Sequence, residues 1–233
     1  MKKKIAIIGS GIAGLTLASL LQTNPNFEFV VYEKEDILNL DEGFGVQLSV
    51  NSVSILNKIG FNQLNKNEKY HPSKLDFYSI NYNKICDLDL TTFNSTNVKY
   101  TTLKRSILIK FLKEKLFSNS IIFRKKINDV EQINGKINIH FIDGSSDKVD
   151  YLVISDGVFS NTKSVIEKKI FKPRYYGAIA IRAQTKIEDI FDLDSNFSFK
   201  NLIKIDLLRV VYLLSSVLNA VKSKSHILSQ FIE

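Results

Sequence analysis

The sequence predicts an α/β fold, and three observations carry that reading. Residues 4–8 (KIAII) are a short continuous apolar run, as a strand buried on both faces requires. Residues 12–22 (IAGLTLASLLQ) then show helical periodicity and stop at Asn24-Pro25-Asn26. Residues 27–32 (FEFVVY) read as a second strand, closed by Glu33. Strand, helix and strand within the first 33 residues form a β-α-β unit, whose strands are parallel.

Further along, 44–49 (FGVQLS) reads as a strand and 50–60 (VNSVSILNKIG) as a helix stopped at Gly60. Residues 74–80 and 83–90 alternate like an antiparallel pair around Asn81-Tyr82-Asn83. Residues 103–117 read as an amphipathic helix with Leu103, Ile107, Leu108, Phe111, Leu112 and Leu116 on one face. Short strands are expected at 120–124, 127–133, 136–142 and 148–155. Asn134-Gly135 and Asp143-Gly144 sit at connections that need positive φ. Residues 175–183 read as a strand entering a second sheet.

The stretch 196–233 differs: within it NLIKIDLLRVVYLLSSVLNAV (201–221) is apolar almost all round, but Lys204, Asp206 and Arg209 interrupt it. Its longest uncharged run is shorter than the ~18–20 residues of a membrane span, so a buried or partner-seeking helix is expected.

Composition narrows the function classes. A hydrophobic fraction of 44% with 24% charged residues excludes a disordered tail, a collagen-like repeat and a disulfide scaffold. Cys86 is the single cysteine, so no intrachain disulfide forms, and a reducing, cytoplasmic setting is expected. The net charge is +8, yet the lysines are scattered and no basic stripe with interleaved aromatics appears. No nucleic-acid partner is therefore expected, and membrane contact is at most peripheral. Lys2-Lys3-Lys4 before an apolar run resembles a signal peptide, but glycines at fixed spacing interrupt that run. His71, His140 and His226 are far apart, and no metal spacing or G-x-S-x-G elbow is present. No metal site is expected, no acid–base pair is singled out, and Cys86 is read as a core residue.

Gly9-Ser10-Gly11-Ile12-Ala13-Gly14 is G-x-G-x-x-G after a strand and opening a helix, with Glu33 following 19 residues after Gly14. Gly9 permits the turn, Gly11 lets the backbone approach a pyrophosphate, and Gly14 lets helix and strand pack closely. The helix N-terminus, with Ile12 and Ala13, offers unpaired N–H groups to phosphates. Glu33 is expected to accept hydrogen bonds from the adenosine ribose, with Lys34 beside it. A carboxylate there repels a 2′-phosphate, which favours FAD or NAD over NADP at this site.

Three later segments add to this: GFGVQLSVNSVSILNKIG (43–60), TTLKRSILIKFL (101–112) and DYLVISDGVFSNTKSVI (150–166). In this order they resemble the flavoprotein aromatic hydroxylases of the p-hydroxybenzoate hydroxylase type, which include salicylate hydroxylase-like and ubiquinone-biosynthesis hydroxylases. The matching positions are Gly43, Gly45 and Asn51, then Arg105 and Leu108, then Asp156, Gly157 and Ser160. Arg182 aligns with a strand that carries an arginine near the flavin in many relatives.

The resemblance covers about residues 3–190. It implies a Rossmann-like FAD/NAD(P)-binding domain with part of a β-sheet substrate domain. The first is expected at 1–70 and 98–172, the second at 71–97 and 173–195, and an atypical tail at 196–233. It also implies FAD as cofactor and NADH or NADPH as co-substrate. Gly45, Arg105, Asp156 and Gly157 join the glycine turn and Glu33 as cofactor-binding positions. The implied activity is monooxygenation of an aromatic or quinone-precursor ring. The family's later glycine–aspartate segment is not found, so the resemblance implies a truncated form. Another FAD-dependent oxidoreductase on the same scaffold, or an inactive dinucleotide-binding remnant, are the other readings of these residues.

Overall fold

The computed structural model describes residues 2–38, 40, 45–78 and 83–172. Gly43, Arg182, the strand expected at 175–183 and the tail at 196–233 lie outside them. The elements run β1 (Lys3–Ile8), α1 (Ile12–Leu21), β2 (Phe27–Tyr32), β3 (Gly45–Leu48), α2 (Val50–Asn57), β4 (Lys74–Tyr78), β5 (Lys84–Asp89), β6 (Thr101–Lys104), α3 (Arg105–Glu114), β7 (Ile121–Ile122), β8 (Ile127–Ile133), β9 (Lys136–Phe141), β10 (Ser146–Val149), β11 (Tyr151–Ile154) and α4 (Asn161–Glu167). The described residues within 1–43, 51–64 and 105–173 form one compact unit, and those within 44–50 and 65–104 form another.

The first unit is built on a parallel sheet in the order β11-β1-β2-β7. Strand β1 lies in its middle, which is why KIAII has no polar alternation. Ala6 and Ile8 face one side, where they pack with Tyr32, Ile127, Ile139, Phe141 and Val149. Ile5 and Ile7 face the other, with Val31 and with Ala18 of α1. Both faces of β1 are thus covered, the condition under which a parallel strand stays buried. Each buried Ile, Val or Phe among these side chains contributes roughly 1.5–3 kcal/mol by leaving water.

Beside the parallel sheet lies an antiparallel one in the order β10-β9-β8. Asn134 and Gly135 turn β8 into β9 with φ of +51° and +72°, a two-residue turn with both central residues left-handed. In the second unit β3 pairs with β6 and β4 with β5, both antiparallel.

Four local expectations need correction. The helix expected at 103–117 begins at Arg105, because Leu103 and Lys104 pair with Val46 and Gly45 as the end of β6. Its buried side chains are Leu108, Ile109, Phe111 and Leu112. The strand expected at 120–124 shrinks to Ile121 and Ile122, the two residues that reach β2. Cys86 is exposed rather than core, since every residue of β5 is exposed.

The fourth concerns 148–155, which is two strands rather than one. The chain leaves the antiparallel sheet after Val149 and enters the parallel sheet at Tyr151. Asp150 makes the switch. Its N–H donates to the Lys4 carbonyl (2.9 Å), and its carboxylate accepts the Lys4 N–H (2.9 Å) and the Lys136 ammonium (2.7 Å). The Lys136 bond, then the Lys4 N–H, pulls the Asp150 carboxyl down to about 2.

A carboxyl depressed on folding adds stability above its ordinary pKa and loses it as pH falls through the folded value. Asp150→Asn is therefore expected to be less stable than the parent at about pH 7, with the gap closing towards about pH 2. Urea midpoints across that range read it, and a gap independent of pH would rule the ion pairs out.

Candidate functional site

The turn from β1 into α1 forms the floor of the site. Gly9 has φ +99°, and its N–H donates to the Tyr32 carbonyl at 2.8 Å. A Cβ on Gly9 would stand 2.6 Å from the Ser155 carbonyl oxygen, so β11 packs against bare backbone here. A Cβ on Gly14 would collide with the Gly9 carbonyl oxygen and stand 2.8 Å from Ser155 Oγ. Ser155 fastens the crossing: its Oγ donates to the carbonyls of Ile8 (2.8 Å) and Gly9 (3.2 Å).

Gly11 is different. Its backbone is extended, and nothing lies within 4 Å of the place a Cβ would take. It caps α1, whose first internal bond is Leu15 N–H to Gly11 carbonyl at 3.0 Å. The amides of Ile12, Ala13 and Gly14 thus have no acceptor within the helix and add to its positive end.

Glu33 follows β2 directly. Its Oε2 accepts the Ser10 N–H (2.8 Å) and the Ser10 hydroxyl (2.5 Å), and Oε1 accepts the Glu35 N–H (3.1 Å). Burial alone would push this carboxyl up. The Ser10 hydroxyl and the N–H groups of Ser10, Glu35 and Lys34 outweigh it and hold the carboxyl below its ordinary value. Beside it, Tyr32 donates to Asp147 at 2.6 Å. Burial first, then that bond and the Asp147 charge, push the phenol well above its usual value, so it stays neutral. Its ring rests on Phe141, centroids 4.6 Å apart, which fixes this wall.

Asp156 and Gly157 follow β11. Asp156 Oδ2 accepts the Thr162 N–H at 3.2 Å. Oδ1 is buried and has no hydrogen-bond partner. A buried acceptor left unmatched costs free energy and calls for a ligand or water to complete it.

These pieces enclose one cavity of about 330 Å³ within the first unit. Gly9, Gly11, Glu33, Lys34, Asp156 and Gly157 all line it, so six of the eleven expected cofactor positions converge. Ile12, Ala13 and Gly14 form the first turn of α1 after Gly11. Arg105 opens α3 and does not line the cavity. Gly45 belongs to the second unit, where it opens β3 opposite Lys104.

The structure adds Lys125, Lys126, Asn161 and Thr162 to the lining, and Ser10 behind Glu33. No motif marks the two lysines. They arrive because β7 pairs with β2 and the chain then bonds back, Lys125 N–H to the Glu33 carbonyl at 2.8 Å. Ser10 occupied a free position of the glycine motif, and its hydroxyl was the only hint. Among the described residues no group of histidine, cysteine and acidic side chains could hold a metal.

Residues 7–40 match the NAD(P)-binding Rossmann-like domain family. A 6-hydroxynicotinate 3-monooxygenase of Bordetella bronchiseptica is 25% identical over 187 residues, 78% of this chain and 48% of that protein. Among solved structures, a salicylate hydroxylase substrate complex superposes with a TM-score of 0.67 at 19% identity, covering 82% of this chain and 45% of that one. HpxO of Klebsiella pneumoniae, complexed with FAD and uric acid, superposes with 0.64 at 21%, covering 76% and 44%. This is the fold of the FAD-dependent hydroxylases. The resemblance drawn from residues 43–60, 101–112 and 150–166 agrees with these matches. The chain spans about half the length of the curated relatives it matches. Within the hydroxylase fold, the cavity just described is formed entirely by the unit that carries the Rossmann-like segment.

Proposed function

We propose that this chain is the FAD-binding part of a monooxygenase that uses NADH or NADPH and O2 to hydroxylate a small aromatic or quinone-precursor ring. The observation that carries the reading is the meeting of three features at one cavity: the open cradle over Gly11, the ionised Glu33 and the unmatched Oδ1 of Asp156. The cavity volume, about 330 Å³, suits the ADP half of the cofactor and lies at the low end of ligand sites.

The residues divide the work by chemistry. Gly9, Gly11 and the free amides of Ile12, Ala13 and Gly14 would take the pyrophosphate. Glu33 would accept the ribose hydroxyls, with Lys34 at the rim. Asp156 Oδ1 would accept a hydrogen bond from a bound water or a sugar hydroxyl, and Gly157 lets the chain pass close by. Gly45 and Arg105 complete the proposed set. When bound, the flavin supplies the hydride acceptance and oxygen activation; the protein binds, orients and excludes water. The domain division read from the sequence is part of the proposal, with the paired strands β4 and β5 belonging to the substrate domain.

The aromatic class is supported by relatives named for such substrates, as in 6-hydroxynicotinate 3-monooxygenase. No helix among the described residues is long and apolar enough to cross a membrane. The single cysteine suits a cytoplasmic setting. No nucleic-acid partner is proposed, and membrane contact is at most peripheral.

The test is to purify the chain, release any bound cofactor and identify it, then titrate FAD. Glu33→Ala is expected to weaken FAD by the ~1.5–3 kcal/mol of a charged hydrogen bond. A chain that takes up no FAD, or a variant that binds it as tightly as the parent, overturns the assignment.

A further inference from the structure

Glu33 does not stand alone at the end of β2. Ser10 supplies both hydrogen bonds to Oε2, from its N–H and from its hydroxyl, while Glu35 N–H holds Oε1. Ser10 is buried, with 4% of its surface exposed, although it sits in a glycine turn open to ligand. A buried serine costs free energy unless its hydroxyl is paired, and here it is paired with a carboxylate. Two donors on one oxygen leave that carboxylate one orientation. The lone pairs that remain are those available to a ligand in the cavity.

We propose that Ser10 is the positioning residue of the ribose site: its hydroxyl fixes the Glu33 carboxylate, ionised and aimed, before an adenosine ligand arrives. This rests on the dinucleotide reading given above. Without the hydroxyl, Glu33 keeps its burial and the Ser10 N–H but loses one of the donors that keep it charged. Its proton affinity then rises, and in acid the site offers a neutral acid where an anion is needed.

The other charged groups near Glu33 are engaged or lie elsewhere on the wall. Lys34 and Glu35 pair with each other at 3.5 Å, and Lys125 pairs with Asp143 at 2.6 Å. Lys126 and Asp156 line the cavity, Tyr32 is bonded to Asp147, and α1 carries no charged side chain.

Calorimetric titration of the full chain with ADP across about pH 4–8 tests this, comparing the parent, Ser10→Ala, Glu33→Ala and the double variant. Ser10→Ala keeps the backbone donor and removes only the hydroxyl. It is expected to weaken ADP about tenfold and to move the acid limb of binding up by about one pH unit. In the Glu33→Ala background the same change should do nothing further. With 2′,3′-dideoxy-ADP, which lacks both ribose hydroxyls, Ser10→Ala and the parent should bind alike.

Equal loss for ADP and the dideoxy ligand would show a general structural role and overturn the proposal. So would an unmoved acid limb. A parent chain that binds no ADP overturns the dinucleotide site itself; a parent that binds while Ser10→Ala matches it overturns the Ser10 assignment alone.

Discussion

Gly11→Val is expected to abolish dinucleotide binding while leaving the chain folded. The position a side chain would take is empty, with no protein atom within 4 Å, and the backbone there is extended, a conformation valine favours. The folded state therefore has room for it. In the proposed site a ligand does not, because that emptiness would be the path by which a pyrophosphate reaches the amides of Ile12, Ala13 and Gly14. Loss of at least a hundredfold in FAD or ADP affinity is expected, about 2.7 kcal/mol or more. Circular dichroism and the thermal midpoint should match the parent. A valine variant that still copurifies with flavin would show that this loop is not the phosphate cradle.

Gly14→Val has the opposite outcome, although the two glycines are three positions apart in one motif. Here a Cβ meets the Gly9 carbonyl oxygen and Ser155 Oγ. Neither can yield: Gly9 is held by its bond to Tyr32, and Ser155 by its bonds to Ile8 and Gly9. Overpacking against flexible side chains costs typically ~1–3 kcal/mol, and backbone contact puts this case at or above the top of that range. Set against a typical total of ~5–15 kcal/mol, that is enough to cost soluble yield. Expression level and denaturant midpoint read it; a variant melting with the parent would mean that α1 has freedom the packing does not show.

The open position at Gly11 and the packing contact at Gly14 were both legible in the sequence, because the G-x-G-x-x-G spacing encodes one crossing of helix over strand. KIAII and FEFVVY were legible for a related reason: a strand covered on both faces leaves no polar alternation to read. What escaped depended on register. Lys126 reaches the cavity only because β7 lies beside β2, and nothing local to Lys125-Lys126 announces that pairing. Residues 148–155 looked like one strand because Val149 and Tyr151 are both good strand formers. The break at Asp150 is imposed by Lys4 and Lys136, one far away in the chain and one on the neighbouring hairpin. Leu103 fitted the apolar stripe of α3, yet pairing with Val46 claimed it for β6.

The sheet switch at Asp150 bears on how this unit comes apart. β10 and β11 are separated by that one residue, so the antiparallel sheet and the parallel sheet are joined by a hinge too short to let either drift away alone. They also share a core, since Ile139, Phe141 and Val149 pack against Ala6, Ile8 and Tyr32. Opening the β8–β9 hairpin exposes the Ala6 and Ile8 side of β1, and pulling out β11 drags β10 with it. The two sheets therefore make one cooperative opening unit, and the slowest-exchanging amides of β1 and β9 should report a single free energy.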